Sequence, residues 1–182
     1  AKITSRKDLR QIGDGNPGAA NVWKAGGWAP GMLTFILDTG KGFIPVYFAT
    51  VYLSSPSIWI QHTSLTLIGL APIVGHAWSP ILRFQGGKAL ATSWGTWMGL
   101  TNGIALPVGA VLLIFAHIIQ RNHAITVTCC LFLFLPIFLP FIFQYYIVFI
   151  WLINIMIIIY KHRAEYHNGF QSRTWLHRIT NL

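Results

Sequence analysis

The chain has 182 residues, 54% hydrophobic and 9% charged, with a formal net charge of +9 and a mean hydropathy of +0.55. A soluble domain carries about 25% charged residues, so this composition cannot cover a water-facing surface and describes an integral membrane protein. Asp8, Asp14, Asp38 and Glu165 are the whole set of carboxylates, which excludes paired-carboxylate glycoside hydrolysis and carboxylate two-metal sites.

The first element is the glycine-rich segment from Gly13 through Asp14, Gly15, Asn16, Pro17, Gly18, Ala19 and Ala20 to Asn21. Glycine and proline at this density force a tight turn whose N–H groups can converge on an anion. Gly13, Gly15 and Gly18 also match G-x-G-x-x-G, with Asp38 at the spacing expected of a dinucleotide site. The context excludes a Rossmann unit. The stretch before the turn, Lys2 to Gln11, is too charged for a buried parallel strand, and an apolar run of membrane length follows it.

A spanning helix needs about 20 apolar residues. Candidates run from about Ala29 to Leu53, with Asp38 and Lys41 inside, and from Ile58 to about Val74, joined by the uncharged Ser54 to Ser57 turn. The polar stretch Gly75 to Lys88 comes next. From Ala89 to Gln120 the pattern predicts a short helix, a break at Thr101-Asn102-Gly103, and a helix from Ile104 to Ile119. The run from Ala124 to Tyr160 is too long for one crossing, and Pro136 and Pro140 offer a break near its middle. The expected fold is all-α: a polytopic helical bundle of about six transmembrane or partly spanning helices, forming one membrane domain over residues 1–182. The apolar runs are continuous and lack the alternation of a barrel.

Basic residues cluster in the breaks: Lys2, Arg6, Lys7, Arg10 and Lys24; Arg83 and Lys88; Arg121; then Lys161, Arg163, Arg173 and Arg178. Six helices put all four clusters on one side, as cytoplasmic loops are placed under the positive-inside rule. Topology therefore accounts for the charge, and nucleic-acid binding is not implied. Cys129 and Cys130 lie in an apolar run, and no Cys/His spacing suggests zinc or another metal.

Three polar groups are candidates for chemistry beside the first turn. Asp38 and Lys41 share one helix face, either as an ion pair that fixes packing or as neighbours of a site. Gly86-Gly87-Lys88 ahead of an apolar helix joins backbone donors, a helix start and a cation, a ready phosphate site without the P-loop spacing. His76 lies just upstream, and Pro80 stands four residues on, where a His/Asp acyltransferase dyad would need its aspartate. Tyr160 to Glu165, with Lys161, His162 and Arg163, ends the last apolar run and is equally a basic stop-transfer flank. No G-x-S-x-G nucleophile elbow occurs.

In order, these clusters resemble the bacterial acyl-phosphate:glycerol-3-phosphate acyltransferases, the PlsY family. That family's first motif is similar to G-S-G-N-P-G-A-T-N, here Gly13 to Asn21, preceded by Asp8-Leu9-Arg10. Its D-x-x-K-G appears as Asp38 to Gly42, and its second motif as Gly75-His76, Pro80 and Gln85 to Thr92. Its third motif, R-H-R-E-N, is matched by Lys161-His162-Arg163-Ala164-Glu165. The departures are Asp14 for serine, Ala20 for threonine, Lys24 for arginine, Ala124 for a later serine, and Glu165 for asparagine. The family carries one more apolar helix ahead of this point, so the resemblance implies that the first helix is missing here.

The resemblance implies acyl transfer from acyl phosphate to the first hydroxyl of glycerol 3-phosphate, in phospholipid synthesis at a bacterial inner membrane, with the motif loops facing the cytoplasm. Lys88 and His162 are the expected catalytic residues. Gly15, Asn16, Pro17, Gly18, Ala19, Asn21, Lys24, Gly86, Gly87 and Arg163 would hold substrate phosphate. Asp38, Lys41, His76, Thr92 and Arg121 would support them. The partners implied are the two substrates and membrane lipids, with no cofactor and no metal. A divergent paralogue binding or acylating another phosphorylated substrate is the alternative, and a small transporter a further one.

Overall fold

The computed structural model describes residues 8–138, 140 and 144–173. The basic residues Lys2, Arg6, Lys7 and Arg178 lie outside them. Seven α-helices occur among the described residues: α1 (Ala19–Gly26), α2 (Trp28–Tyr52), α3 (Ile58–Ala77), α4 (Leu90–Leu100), α5 (Ala105–Ile119), α6 (His123–Phe138) and α7 (Tyr145–His162). The chain is a polytopic membrane helical bundle. It divides into two compact units, one ending at Gly103 and one starting at Ile104.

Six of these helices follow the apolar runs. The break at Thr101 to Gly103 forms as expected, with Asn102 and Gly103 at φ 49° and 90° and the Gly103 N–H donating to the Met98 carbonyl. Pro136 lies inside α6 rather than ending it, and the interruption comes after Phe138. Proline removes one donor and can be carried within a membrane helix where neighbours meet the freed carbonyl. The short α1 was not expected as a helix. Gly18 caps it at φ −86° and Gly27 ends it at φ 90°, so glycines mark both its ends.

The stretches Ile58–Leu82 and Tyr145–His162 are long and apolar enough to cross a bilayer, with mean hydropathies of 1.5 and 1.6. The helices α5 and α6 are shorter apolar segments. Side-chain placement differs from that of a soluble protein chiefly on the outside. Large apolar residues point outward, Trp59 at 81% exposure and Ile81 at 93%, while Thr92, Thr96, Thr126 and Asn154 are buried. So wide an apolar exterior fits lipid, not water.

Lipid is as apolar as leucine, so close backbone packing, rather than hydrophobic burial, must hold helices together. In the first unit, small residues provide it between α2 and α4. A Cβ on Gly42 would sit 2.9 Å from the Thr96 nitrogen, and one on Gly99 would sit 2.9 Å from the Tyr47 nitrogen. Gly95 and Gly99 form the small-x-x-x-small spacing of tight membrane helix pairs. Likewise α1 lies on α2, where a Cβ on Gly31 would meet the Trp23 side chain at 2.7 Å.

In the second unit, Trp151 Nε1 on α7 donates to the Leu131 carbonyl on α6 at 2.7 Å. Asn122 caps α6, its Oδ1 accepting from the Ala124 N–H at 3.1 Å. Its Nδ2 donates to the carbonyls of Glu165 and Gly169, at 3.0 and 2.9 Å. Gln120 Oε1 accepts from the N–H groups of Asn122 and Gln171. These bonds tie the segment after α7 to the α5–α6 turn.

Candidate functional site

The glycine-rich loop is built around two side chains. Gly13 and Gly15 have φ of 61° and 71°, a left-handed conformation that favours glycine. Between them the Asp14 side chain folds back onto its own loop. Its Oδ1 accepts from Asn21 Nδ2 at 2.6 Å and from the Asn16 N–H at 3.2 Å. Asn21 is buried, and its Nδ2 also donates to the Asn16 carbonyl at 2.9 Å, which closes the loop. Lys24 extends back over it, with its Nζ 3.3 Å from where a Cβ of Gly13 would lie.

Lys88, 74 residues away, donates to Asp14 Oδ2 and closes an ion pair. Burial alone would raise the Asp14 carboxyl. Hydrogen bonds from Lys88, Asn21 and the Asn16 N–H, with the charge of Lys88, outweigh it and hold the group at about 2. The structure thus joins the first and second sequence motifs through Asp14, a residue that the motif pattern marked only as a departure.

Gly86 and Gly87 set the height of Lys88. A Cβ on Gly86 would overlap the His76 and Ala77 carbonyls, and one on Gly87 would overlap the His76 ring. The Gly87 N–H donates to the His76 carbonyl at 3.1 Å. In this state their glycine character serves contact with the end of α3. Ala89, at φ 61°, then turns the chain into α4.

Asp38 and Lys41 form the expected pair on α2, with Lys41 Nζ donating to Asp38 Oδ1 at 2.6 Å. His76 completes it: its Nδ1 lies 2.5 Å from Lys41 Nζ and 3.5 Å from Asp38 Oδ1. A cavity of about 430 Å³ opens between this trio and the loop, lined by Pro17, Asp38, Lys41, His76, Ser79 and Gly87 among others. Thr92 is fully buried on α4, and its carbonyl faces Gly42 of α2.

The remaining candidates lie in the second unit. His162 is buried at the end of α7, with Nδ1 2.9 Å from the Ile158 carbonyl and its ring 6.2 Å from that of His123. Arg163 donates through Nη1 to the Tyr160 carbonyl and stacks 4.4 Å above the Tyr160 ring. The Arg121 N–H donates to the Gln171 carbonyl. Ala124 is buried beneath the Asn122 cap. Asn122 itself escaped the sequence reading, although an asparagine just ahead of an apolar run is an N-cap signal.

A family model for glycerol-3-phosphate acyltransferases matches residues 1–172. The chain belongs to the glycerol-3-phosphate acyltransferase family. It is 36% identical over 171 residues to a glycerol-3-phosphate acyltransferase of Prochlorococcus marinus, covering 90% of this chain and 81% of that protein. It is 44% identical over 94 residues to glycerol-3-phosphate acyltransferase 1 of Thermotoga maritima, a match to 52% of this chain that spans about half, 45%, of that relative. The fold matches the crystal structure of PlsY (YgiH), an integral membrane glycerol 3-phosphate acyltransferase, in its glycerol 3-phosphate form. The TM-score is 0.79 at 26% identity, over 98% of this chain and 90% of that one.

Proposed function

We propose that this protein transfers a fatty acyl group from acyl phosphate to the first hydroxyl of glycerol 3-phosphate, giving lysophosphatidate and inorganic phosphate. The observation that carries the assignment is the meeting of Lys88 with the Gly13–Asn21 loop, across 74 residues of sequence, in a chain of this family. The loop donors and the lysine together form an anion site at the end of a membrane helix bundle.

Acyl phosphate is a mixed anhydride and already activated. The glycerol hydroxyl attacks its acyl carbon, the bond from that carbon to the phosphate oxygen breaks, and the hydroxyl proton leaves with the departing phosphate. No covalent enzyme intermediate and no protein base is needed, so catalysis rests on positioning and on balancing phosphate charge. Lys88 anchors the phosphoryl group, with the backbone of Gly15 to Ala19, the Asn21 amide and Lys24 beside it. His162 and Arg163 are assigned to substrate contact from their motif. Asp38, Lys41, His76 and Thr92 hold α2, α3 and α4 in register, and Arg121 supports the second unit. The acyl chain lies against the lipid-facing helices. The 1–182 region works as one acyltransferase domain in the bacterial inner (plasma) membrane, with the basic motif loops on the cytoplasmic side by the positive-inside rule.

The test supplies labelled glycerol 3-phosphate to membranes carrying the protein, with acyl phosphate or acyl thioester as donor. Label entering lysophosphatidate with acyl phosphate alone is the expected result. Incorporation only with thioester would overturn the donor, and none with either donor in inserted protein would overturn the reaction. Asp14 in the cradle favours a second reading, a paralogue with another phosphorylated substrate. A panel of phosphorylated acceptors in the same assay separates the two.

A further inference from the structure

The donors that would grip a phosphoryl group are already engaged by a carboxylate of the chain itself. Lys88 Nζ meets Asp14 Oδ2, while Asn21 Nδ2 and the Asn16 N–H meet Oδ1. A cation, an amide and a backbone donor on two oxygens is the pattern that a bound phosphate would draw from the same groups. Lys24 adds a second positive charge at Gly13. Asp14 is 43% exposed and is flanked by Gly13 and Gly15, so its side chain can leave without disturbing buried packing.

We propose that Asp14 is a resident anion, which occupies the phosphoryl site in the free protein and must be displaced from Lys88 before a phosphorylated substrate binds. The idea rests on the acyl-transfer assignment only in naming acyl phosphate as the substrate. The occupied cradle stands on the geometry alone. Two consequences follow. Apparent affinity for phosphate is reduced by the fraction of molecules in which Asp14 holds the site. With Asp14 retained beside the ligand, its negative charge also offsets one of the two lysines, so the site discriminates against highly charged ligands more than an uncharged loop would. Asp14 is thus a specificity-determining residue, tuned by competition rather than by contact.

The experiment measures binding of inorganic phosphate to the whole chain in nanodiscs, without acyl donor, for wild type, Asp14→Asn and Asp14→Ser. Thermal midpoints serve as the control for folding. Asp14→Asn keeps the shape and removes the charge, while Asp14→Ser removes both, so a folding defect in one leaves the other informative. The expected result is phosphate affinity about tenfold or more higher in both variants, corresponding to a site held by Asp14 in some nine molecules of ten. The gain must vanish in the Asp14→Asn, Lys88→Ala double variant. In turnover, the same variants lower KM for acyl phosphate in proportion. Unchanged or weaker phosphate binding in a folded variant overturns the proposal. A gain that survives loss of Lys88 overturns it too. Because phosphate binding is read directly, a wild type without acyl transfer would sink the enzymatic assignment and leave this result standing.

Discussion

Among its described residues the first unit contains two carboxylate–lysine pairs with different surroundings. Asp38 and Lys41 lie three residues apart on α2 and share His76 between two helices. Asp14 and Lys88 lie 74 residues apart, and the carboxylate is wrapped by loop donors. In the helical pair the groups facing the carboxylate are side chains of packed helices, so it joins α2 to α3. In the loop pair they include a backbone N–H and an amide, donors suited equally to an external anion. Both carboxylates engage a lysine, yet one faces side chains of packed helices and the other faces donors of a loop. The neighbours, not the pairing, tell them apart.

Four measurements put that contrast to the test. The largest effect is expected at Lys88: removing a positioned charge from a developing anion costs about 100-fold or more in rate. Lys88→Ala should lose turnover by that factor, and Lys41→Ala should lose less than about tenfold. Equal losses in the acyl-transfer assay would erase the distinction. Next comes Asp38→Asn, which leaves Lys41 and His76 without their carboxylate. It should lower stability by about 1 kcal/mol, a modest figure because Lys41 is 42% exposed. Thermal unfolding in detergent checks it, with a larger loss expected than for Asp14→Asn.

A smaller gain is expected from Lys24→Arg. Arginine brings the forked geometry that lysine lacks, and phosphate affinity should rise about threefold, read by titration. The smallest effect is the pH response of the loop pair. The Asp14 carboxyl falls from 3.8 to about 2 in the folded protein. A depressed carboxylate stabilises above its unfolded value and loses that contribution as pH falls through its folded value. The difference in thermal midpoint between wild type and Asp14→Asn should therefore be flat above about pH 5 and shrink between about pH 4 and pH 2. A collapse above pH 5 would mean that Lys88 does not hold the group.

Much of the architecture was legible because continuous apolar runs report helices directly, and six of them coincide with α2 to α7. The α1 helix was not, since its eight residues are shorter than the window over which a helical pattern can be read. Local spacing disclosed the Asp38–Lys41 pair, three residues apart on a helix. It could not disclose His76, 35 residues on, or the Lys88–Asp14 pair, because those depend on how α3 and the loop before α4 are folded back. The close approach of α2 to α4 at Gly42, Gly95 and Gly99 has the same character: the glycines are visible in sequence and their partner is not. Asn122 joins segments more than 40 residues apart, and only its capping half has a sequence signal.

The most direct test of the phosphoryl site is differential lysine labelling of the membrane-embedded protein, with and without a non-hydrolysable acyl phosphonate. The phosphonate should protect Lys88 from an amine-reactive reagent, and Lys24 to a lesser degree, while Lys41 reacts at an unchanged rate. Protection of Lys41 with Lys88 unaffected would place the phosphoryl group on the Asp38–Lys41–His76 cluster and overturn the assignment to the loop.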